Sequence, residues 1–292
     1  MLTSARLAAS RLSLFRGKLM SNQLSTNVFK HALKQDAPLW GLWLGLPDTS
    51  CAEICGGSGF DWVLIDGEHA SFDLTGIKYH LQALAPHPTS AIVRAEDGNP
   101  TLLKRLLDIG AQSLLVPMVN NAEQAQQVVQ SVYYPPMGQR GIGSALARAS
   151  QWNRIPNYLH QANEEICLLV QVETVEAIEN IEAIAAVEGI DGIFIGPSDL
   201  SGSMGHIGNP GHPDVVAAID HAIEVINRAG KAVGILSLNP TQAKGYVEQG
   251  VKFIGAGVDT LLLRQGAEGL VKTLKDKDSD TGTKAAAVAN VY

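Results

Sequence analysis

The stretch FDWVLIDGEHA, residues 60–70, closes an apolar run with Asp66, Glu68 and His69 inside four positions. A carboxylate beside an imidazole holds one tautomer and raises its basicity, so Asp66 and His69 read as an orienting acid and a general base. Glu173 ends ICLLVQVE (166–173) and Asp199 ends GPSD (196–199). Two carboxylates with no neighbouring His or Cys make an oxygen-only site, which suits Mg²⁺ or Mn²⁺ and leaves positions for water and a ligand. Arg94, in SAIVRA (90–95), adds a guanidinium, and beside a divalent ion that implies an anionic ligand. Gln171 and Ser198 flank the two acids, and the GPSD turn offers backbone N–H groups of the kind that bind carboxylates and phosphates. Glu68 has two readings, a hydrogen bond to metal-bound water or a local role in its loop. Taken singly, each residue has a bland explanation as a surface acid or a polar strand end. Together they need one place to meet.

A Schiff-base enzyme would instead need a desolvated lysine at that place. Lys231 and Lys252 precede their apolar runs, and Lys78, Lys104 and Lys244 fall in helical stretches. Carbanion chemistry here therefore calls for a metal rather than an imine.

The meeting place follows from the pattern of elements. Apolar runs at 39–46, 60–66, 90–95, 113–119, 166–173, 191–197, 231–237 and 252–259 are bounded by Gly, Pro or polar residues, as doubly buried parallel strands are. The stretches between them read as helices. Asn99 caps NPTLLKRLL, with Pro100 first and Gly110 as the stop, and HPDVVAAIDHAIEVINRAG repeats the design with Pro213 and Gly230. Eight strands, each followed by a helix, predict a single-domain (β/α)₈ barrel over residues 20–275, with an open doubly wound sheet as the alternative. A barrel carries its site at the strand C-terminal ends, where Asp66, Glu68, His69, Arg94, Gln171, Glu173 and the 196–199 turn all fall. Between Val119 and Ile166, the extra segment YYPPMGQRGIGSALARASQWNR is expected to serve as a lid or a subunit contact.

Composition narrows the class. The chain has 292 residues, 46% hydrophobic and 17% charged, which is ordinary for a globular protein. A net charge of −7 without a basic, aromatic-interleaved stripe argues against nucleic acid as a partner. No apolar run reaches the roughly 20 residues of a membrane span. Cys51, Cys55 and Cys167 suggest a reducing compartment without a disulfide framework, and Cys51 and Cys55 read as small buried hydrophobes on one helix face. Residues 1–19 carry Arg6, Arg11, Arg16 and Lys18, and no acid precedes Asp36. They read either as a segment ahead of a true start at Met20 in a cytoplasmic protein, or as a mitochondrial transit peptide. Residues 276–292 read as a loose tail.

GLWLGL, FDWVLIDGEHA, LLDIGAQSLLVPMV, YYPPMGQRGIGSALARASQWNRIP, LLVQVET, VEGIDGIFIGPSDLS and FIGAGVDT together resemble the metal-dependent (class II) pyruvate aldolases of the HpcH/HpaI family, from about Met20 to Leu270. The likeness is nearest to the 4-hydroxy-2-oxoheptane-1,7-dioate aldolase branch, and sugar-acid aldolases share most of these motifs. The resemblance implies a lyase that reversibly cleaves 4-hydroxy-2-oxo acids to pyruvate and an aldehyde. That aldehyde is succinic semialdehyde or, in the sugar-acid branch, tartronate semialdehyde or lactaldehyde. It also implies a divalent cation (Mg²⁺, Mn²⁺ or Co²⁺), no organic cofactor, and a homohexamer that exchanges barrel helices between subunits. By position, Glu173 and Asp199 match metal ligands, His69 the base, Arg94 the cation that stabilises the pyruvate enolate, and Gln171 and Ser198 substrate contacts. Asp108, in LLDIG, matches an acid that raises the basicity of the histidine, with a neighbouring subunit as its source. The chain departs from the pattern at Arg94-Ala95-Glu96-Asp97, where relatives commonly carry Pro after the arginine, and the aldehyde side of the site is where that matters. A CoA-ester lyase or phosphonopyruvate-type enzyme on a similar barrel needs a nucleotide or phosphate loop that the sequence does not display. A non-catalytic binding barrel would be marked by loss of Glu173, Asp199, Arg94 or His69, and all four are present.

Overall fold

The computed structural model describes residues 23–275, and the expectations for residues 1–19 and 276–292 lie outside them. In chain order the elements begin with α1 (Val28–Ala32), β1 (Leu39–Leu44), α2 (Thr49–Gly56), β2 (Trp62–Asp66), α3 (Leu74–Leu84) and β3 (Ser90–Arg94). Then come α4 (Pro100–Asp108), β4 (Ser113–Val116), α5 (Ala122–Val132), two 3₁₀ turns (Ser144–Leu146 and Arg148–Ser150), α6 (Tyr158–Glu165) and β5 (Cys167–Val172). The chain continues through α7 (Val175–Glu179), α8 (Ile181–Ala185), β6 (Gly192–Ile195), α9 (Pro197–Ser203), α10 (Pro213–Arg228) and β7 (Ala232–Leu236). It ends with α11 (Pro240–Glu248), β8 (Phe253–Val258) and α12 (Asp259–Lys275). Every strand pairs in parallel with its sequence neighbours, and β8 pairs with β1, so the eight strands close into a barrel in chain order. Closure decides against the open sheet.

The apolar runs form strands because both faces are covered. All residues of β2 and β5 are buried, one face toward the helices and the other toward the barrel axis. The axis is filled by Trp43, Trp62, Leu64, Ile92, Leu115, Leu169, Phe194 and Phe253. Gly41 makes room for this packing, since a Cβ there would lie within 2.3 Å of three Trp62 ring atoms. At the floor, where the strands begin, Phe29 of α1 packs edge-on against Trp62 and Phe253, with ring centroids 6.1 and 5.7 Å away. Asn27 pins α1 there by donating to Ser113 Oγ (3.0 Å) and to the Glu165 carbonyl (2.9 Å). Helix starts are capped as expected. The Asn99 side chain accepts from Thr101 and Leu102 N–H (2.9 and 3.3 Å), worth about 1 kcal/mol.

Two expectations change. The 133–154 segment follows α5, which has already carried the chain back to the floor, and there Arg140 pairs with Asp108 at 2.6 Å. Within one chain it therefore lies at the end opposite the mouth and is not a lid over it. Cys51 and Cys55 lie on α2 as expected but are only half-buried, while Cys167 is buried. Burial lifts the Cys55 thiol to about 11, so it stays protonated. The last helix is unusual. Only Asp259 of α12 is buried, and Leu262, Leu263, Leu270, Val271 and Leu274 face solvent. No helix among the described residues is long and apolar enough to cross a membrane.

Candidate active site at the barrel mouth

The strand ends assemble the site. Asp66 and Arg94 are the last residues of β2 and β3 and stand opposite each other in the strand register. Their side chains meet as a bidentate pair: Arg94 Nε donates to Asp66 Oδ1 (2.9 Å) and Nη2 to Oδ2 (2.6 Å). Burial pushes the Asp66 carboxyl up. The Arg94 hydrogen bonds and charge, helped by the His69 and Glu68 amides, outweigh burial and hold it below the usual carboxylate range. The third guanidinium nitrogen, Nη1, lies 2.9 Å from Glu68 Oε2, close enough for an ion pair but not aligned as a hydrogen bond. The turn is tight at Gly67, whose N–H donates to the Arg94 carbonyl (3.0 Å) and where a Cβ would come 2.6 Å from that oxygen.

This geometry corrects one expectation. Asp66 does not hold the His69 ring. Its carboxylate is engaged by Arg94 and accepts the His69 backbone N–H at 3.3 Å. The carboxylate oxygen near the imidazole is Glu68 Oε2, 3.8 Å from His69 Nε2. His69 itself is open to solvent, with 65% of its side chain exposed.

Across the mouth, Glu173 follows β5 and is buried. Its Oε1 accepts the Met118 N–H at 2.9 Å, and its Oε2 accepts from Gln171 Nε2. Met118 takes a left-handed backbone (φ +57°) to make that contact, local strain placed at the site. Gly196 is the other device. A Cβ there would fall 2.5 Å from Glu173 Oε2 and 2.8 Å from its Cβ, so only glycine leaves the carboxylate its place. Ser198 and Asp199 sit exposed in the first turn of α9, behind Gly196 and Pro197. Burial raises the Glu173 carboxyl, its two hydrogen bonds lower it, and the nearby charges of Asp199 and Glu68 add to the rise. Glu68 is likewise raised, first by burial and then, against the pull of Arg94 and His69, by Asp66 and Asp199.

The mouth thus holds surplus acceptors. Gln171 Oε1 is buried without a hydrogen-bond partner, Glu68 Oε2 has only its ion pair with Arg94, and the carboxylates raise one another. An oxygen-only cluster of this kind fits a hard divalent cation. Among the described residues no lysine competes for that role at the strand C-terminal ends; Lys231 lies at the floor end of β7, donating to the Ile190 carbonyl at 2.8 Å. Asp108 is the outlier. It ends α4, on the floor side, paired with Arg140 and not brought to its own chain's mouth. One clamp escaped the sequence reading. Asp259, first residue of α12, accepts the Gly45 and Leu46 N–H groups (2.9 and 3.0 Å) and so fixes the loop after β1.

Known proteins bear on this geometry. A family profile described as HpcH/HpaI aldolase/citrate lyase matches residues 39–266. The 4-hydroxy-2-oxo-heptane-1,7-dioate aldolase of Klebsiella pneumoniae is 56% identical over 244 residues, 84% of this chain and 92% of that protein. A crystal structure of an HpcH/HpaI aldolase/citrate lyase family protein from Burkholderia cenocepacia superposes with a TM-score of 0.82 at 36% identity, covering 85% of this chain and all of that one. An HpcH/HpaI aldolase from Desulfitobacterium hafniense gives 0.79 at 29% identity over 86% of this chain and 98% of the other. Barrel and mouth together are those of a carbon–carbon lyase of the aldolase class. Within that class, the chain belongs to the HpcH/HpaI aldolase/citrate lyase family.

Proposed function

We propose that the mouth reversibly cleaves 4-hydroxy-2-oxo acids to pyruvate and an aldehyde, with 4-hydroxy-2-oxoheptane-1,7-dioate, giving succinic semialdehyde, as the first substrate to test. The observation that carries this reading is the buried Glu173 carboxylate, raised first by burial and then by Asp199 and Glu68, and facing a mouth that also holds Arg94 and an exposed His69. Glu173 and Asp199 would hold a divalent cation (Mg²⁺, Mn²⁺ or Co²⁺), with Gln171 Oε1 beside them as a free acceptor. When bound, such an ion supplies Lewis-acid stabilisation of the charge that develops on the 2-oxo acid.

The chain's own groups do the rest. Arg94, fixed by its bidentate pair with Asp66, presents a preorganised positive charge to the substrate anion. Ser198 and the α9 backbone contact the pyruvate carboxylate. His69 takes the proton of the 4-hydroxyl, directly or through one water. The electrons of that O–H bond form the aldehyde carbonyl as the C3–C4 bond breaks, and its electron pair passes to the pyruvate enolate. Protonation at C3 then gives pyruvate, and condensation is the reverse. Asp108 can assist His69 only from a neighbouring copy, because its own chain places it at the floor. A homohexamer with exchanged helices accounts for the exposed apolar side chains of α12.

Thorough chelation followed by add-back of Mg²⁺, Mn²⁺ or Co²⁺ tests the core of the proposal. Pyruvate release should stop and return with the ion, and release that survives chelation would overturn it. Succinic semialdehyde, tartronate semialdehyde and lactaldehyde, each offered with pyruvate, rank the aldehydes.

A further inference from the structure

The connection from α9 to α10 gathers two imidazoles and a carboxylate outside the mouth. Gly205 and Gly208 take positive φ (+81° and +74°). Two successive turns then fold the loop back: Asn209 N–H to the His206 carbonyl (2.9 Å) and His212 N–H to the Asn209 carbonyl (3.1 Å). The His206 N–H, donating to the Ser201 carbonyl at 2.7 Å, anchors the start. As a result the His206 and His212 rings stack, centroids 3.5 Å apart and planes 12° from parallel. His206 Nε2 and His212 Nδ1 each stand 3.7 Å from Asp214 Oδ2. One donor atom from each residue lies within 4.8 Å of the other two.

We propose that His206, His212 and Asp214 form a second cation site, for a borderline transition ion of the Zn²⁺ or Cu²⁺ class, separate from the mouth. Donor chemistry gives the selectivity. Two imidazole nitrogens and one carboxylate favour Zn²⁺ or Cu²⁺ over Mg²⁺, the opposite of the oxygen-only mouth, so the two sites sort ions by softness. Geometry says what loading requires. Imidazole lone pairs lie in the ring plane, so two parallel stacked rings cannot both aim at one ion, and His206 must turn out of the stack. The cluster opens to solvent on the Asp214 side, where that side chain is 69% exposed and both rings are partly exposed. His212 Nδ1 accepts the Asp214 N–H at 3.3 Å as the cap of α10, a long bond that an ion displaces. The positive end of the α10 dipole opposes a cation, and the Asp214 carboxylate in the first turn offsets it.

The test takes the untagged full chain in saturating Mg²⁺ and measures bound Zn²⁺ by equilibrium dialysis, with electron paramagnetic resonance of bound Cu²⁺ to read nitrogen couplings. The wild type should bind one more Zn²⁺ per chain than a His206→Ala/His212→Asn double variant, in which Asn preserves the helix cap. Nitrogen couplings should disappear in that variant and persist in Glu173→Gln. Equal Zn²⁺ binding by wild type and double variant would overturn the site, as would couplings that survive the double variant and vanish with Glu173→Gln. Because the readouts are ion stoichiometry and ligand identity, failure of the aldolase reading would leave this result standing.

Discussion

The floor and the mouth of the barrel are built from the same eight strands and differ in what they leave unsatisfied. At the floor, Lys30 Nζ donates to the Ile166 carbonyl at 2.6 Å and stands 3.6 Å from Asp191, and Trp62 Nε1 reaches the Leu39 carbonyl at 3.1 Å. Aromatic rings close what remains. At the mouth, Gln171 Oε1 and Glu68 Oε2 are buried without hydrogen bonds, and the carboxyls of Glu68 and Glu173 are pushed up. Among the described residues, the unpartnered buried atoms at the floor are Tyr134 Oη and Arg140 Nε, a hydroxyl and a donor, whereas those at the mouth are acceptors beside carboxyls that raise one another. Stability and chemistry occupy opposite ends of the same strands.

That division can be broken by variants that separate activity from stability. Glu173→Gln should give the largest loss, about 10³-fold or more in kcat/KM, since several kcal/mol of electrostatic stabilisation disappear. The metal-free variant should unfold at the same or a higher denaturant concentration than wild type, because a buried carboxylate has been removed. If it loses both activity and stability, the mouth is structural as well. His69→Ala should cost about 10² to 10⁴ in rate with no change in unfolding midpoint, given the exposure of the ring. Turnover within a few-fold of wild type would remove His69 from the base role.

Phe29→Ala reverses the pattern. It should cost about 3–5 kcal/mol of stability in chemical denaturation, while kcat/KM per folded molecule stays near wild type. The smallest effect is a sharpening one. Burial raises the Glu68 carboxyl, so in the metal-free protein the native state keeps a proton that the unfolded chain releases from about pH 4.5 upward. Stability therefore falls as pH rises through the interval between the unfolded and folded values, and below it the penalty is absent. The Tm of metal-free Glu68→Gln should gain on wild type by about 1–3 °C from acid to neutral pH. A gap that shrinks with rising pH would contradict the sign of the shift.

The barrel was legible because doubly buried strands must be continuous apolar runs, and the runs at 39–46 and 166–173 became β1 and β5 with one or two residues trimmed at the ends. The mouth residues were legible because polar groups at the end of such a run have one face of the barrel to occupy. Their partners were not. Sequence proximity paired Asp66 with His69, whereas the parallel register sets Asp66 beside Arg94, and register emerges only when two strands are aligned. That both residues close consecutive strands was the available signal. The 133–154 segment read as a lid or a subunit contact because its length is visible in the sequence and its end of the barrel is not. His206 and His212 meet only through two turns and two left-handed glycines, which no hydrophobic period encodes.

The Asp259 clamp gives α12 a leverage that its exposed leucines alone would not suggest. The helix is rooted in the first loop of the mouth and extends away from the barrel. If a second copy covers its apolar face, as proposed above, that contact is linked through Asp259 to Gly45 and Leu46 at the rim of the mouth. Catalytic output should therefore track protein concentration, rising where the helix is docked and falling on dilution.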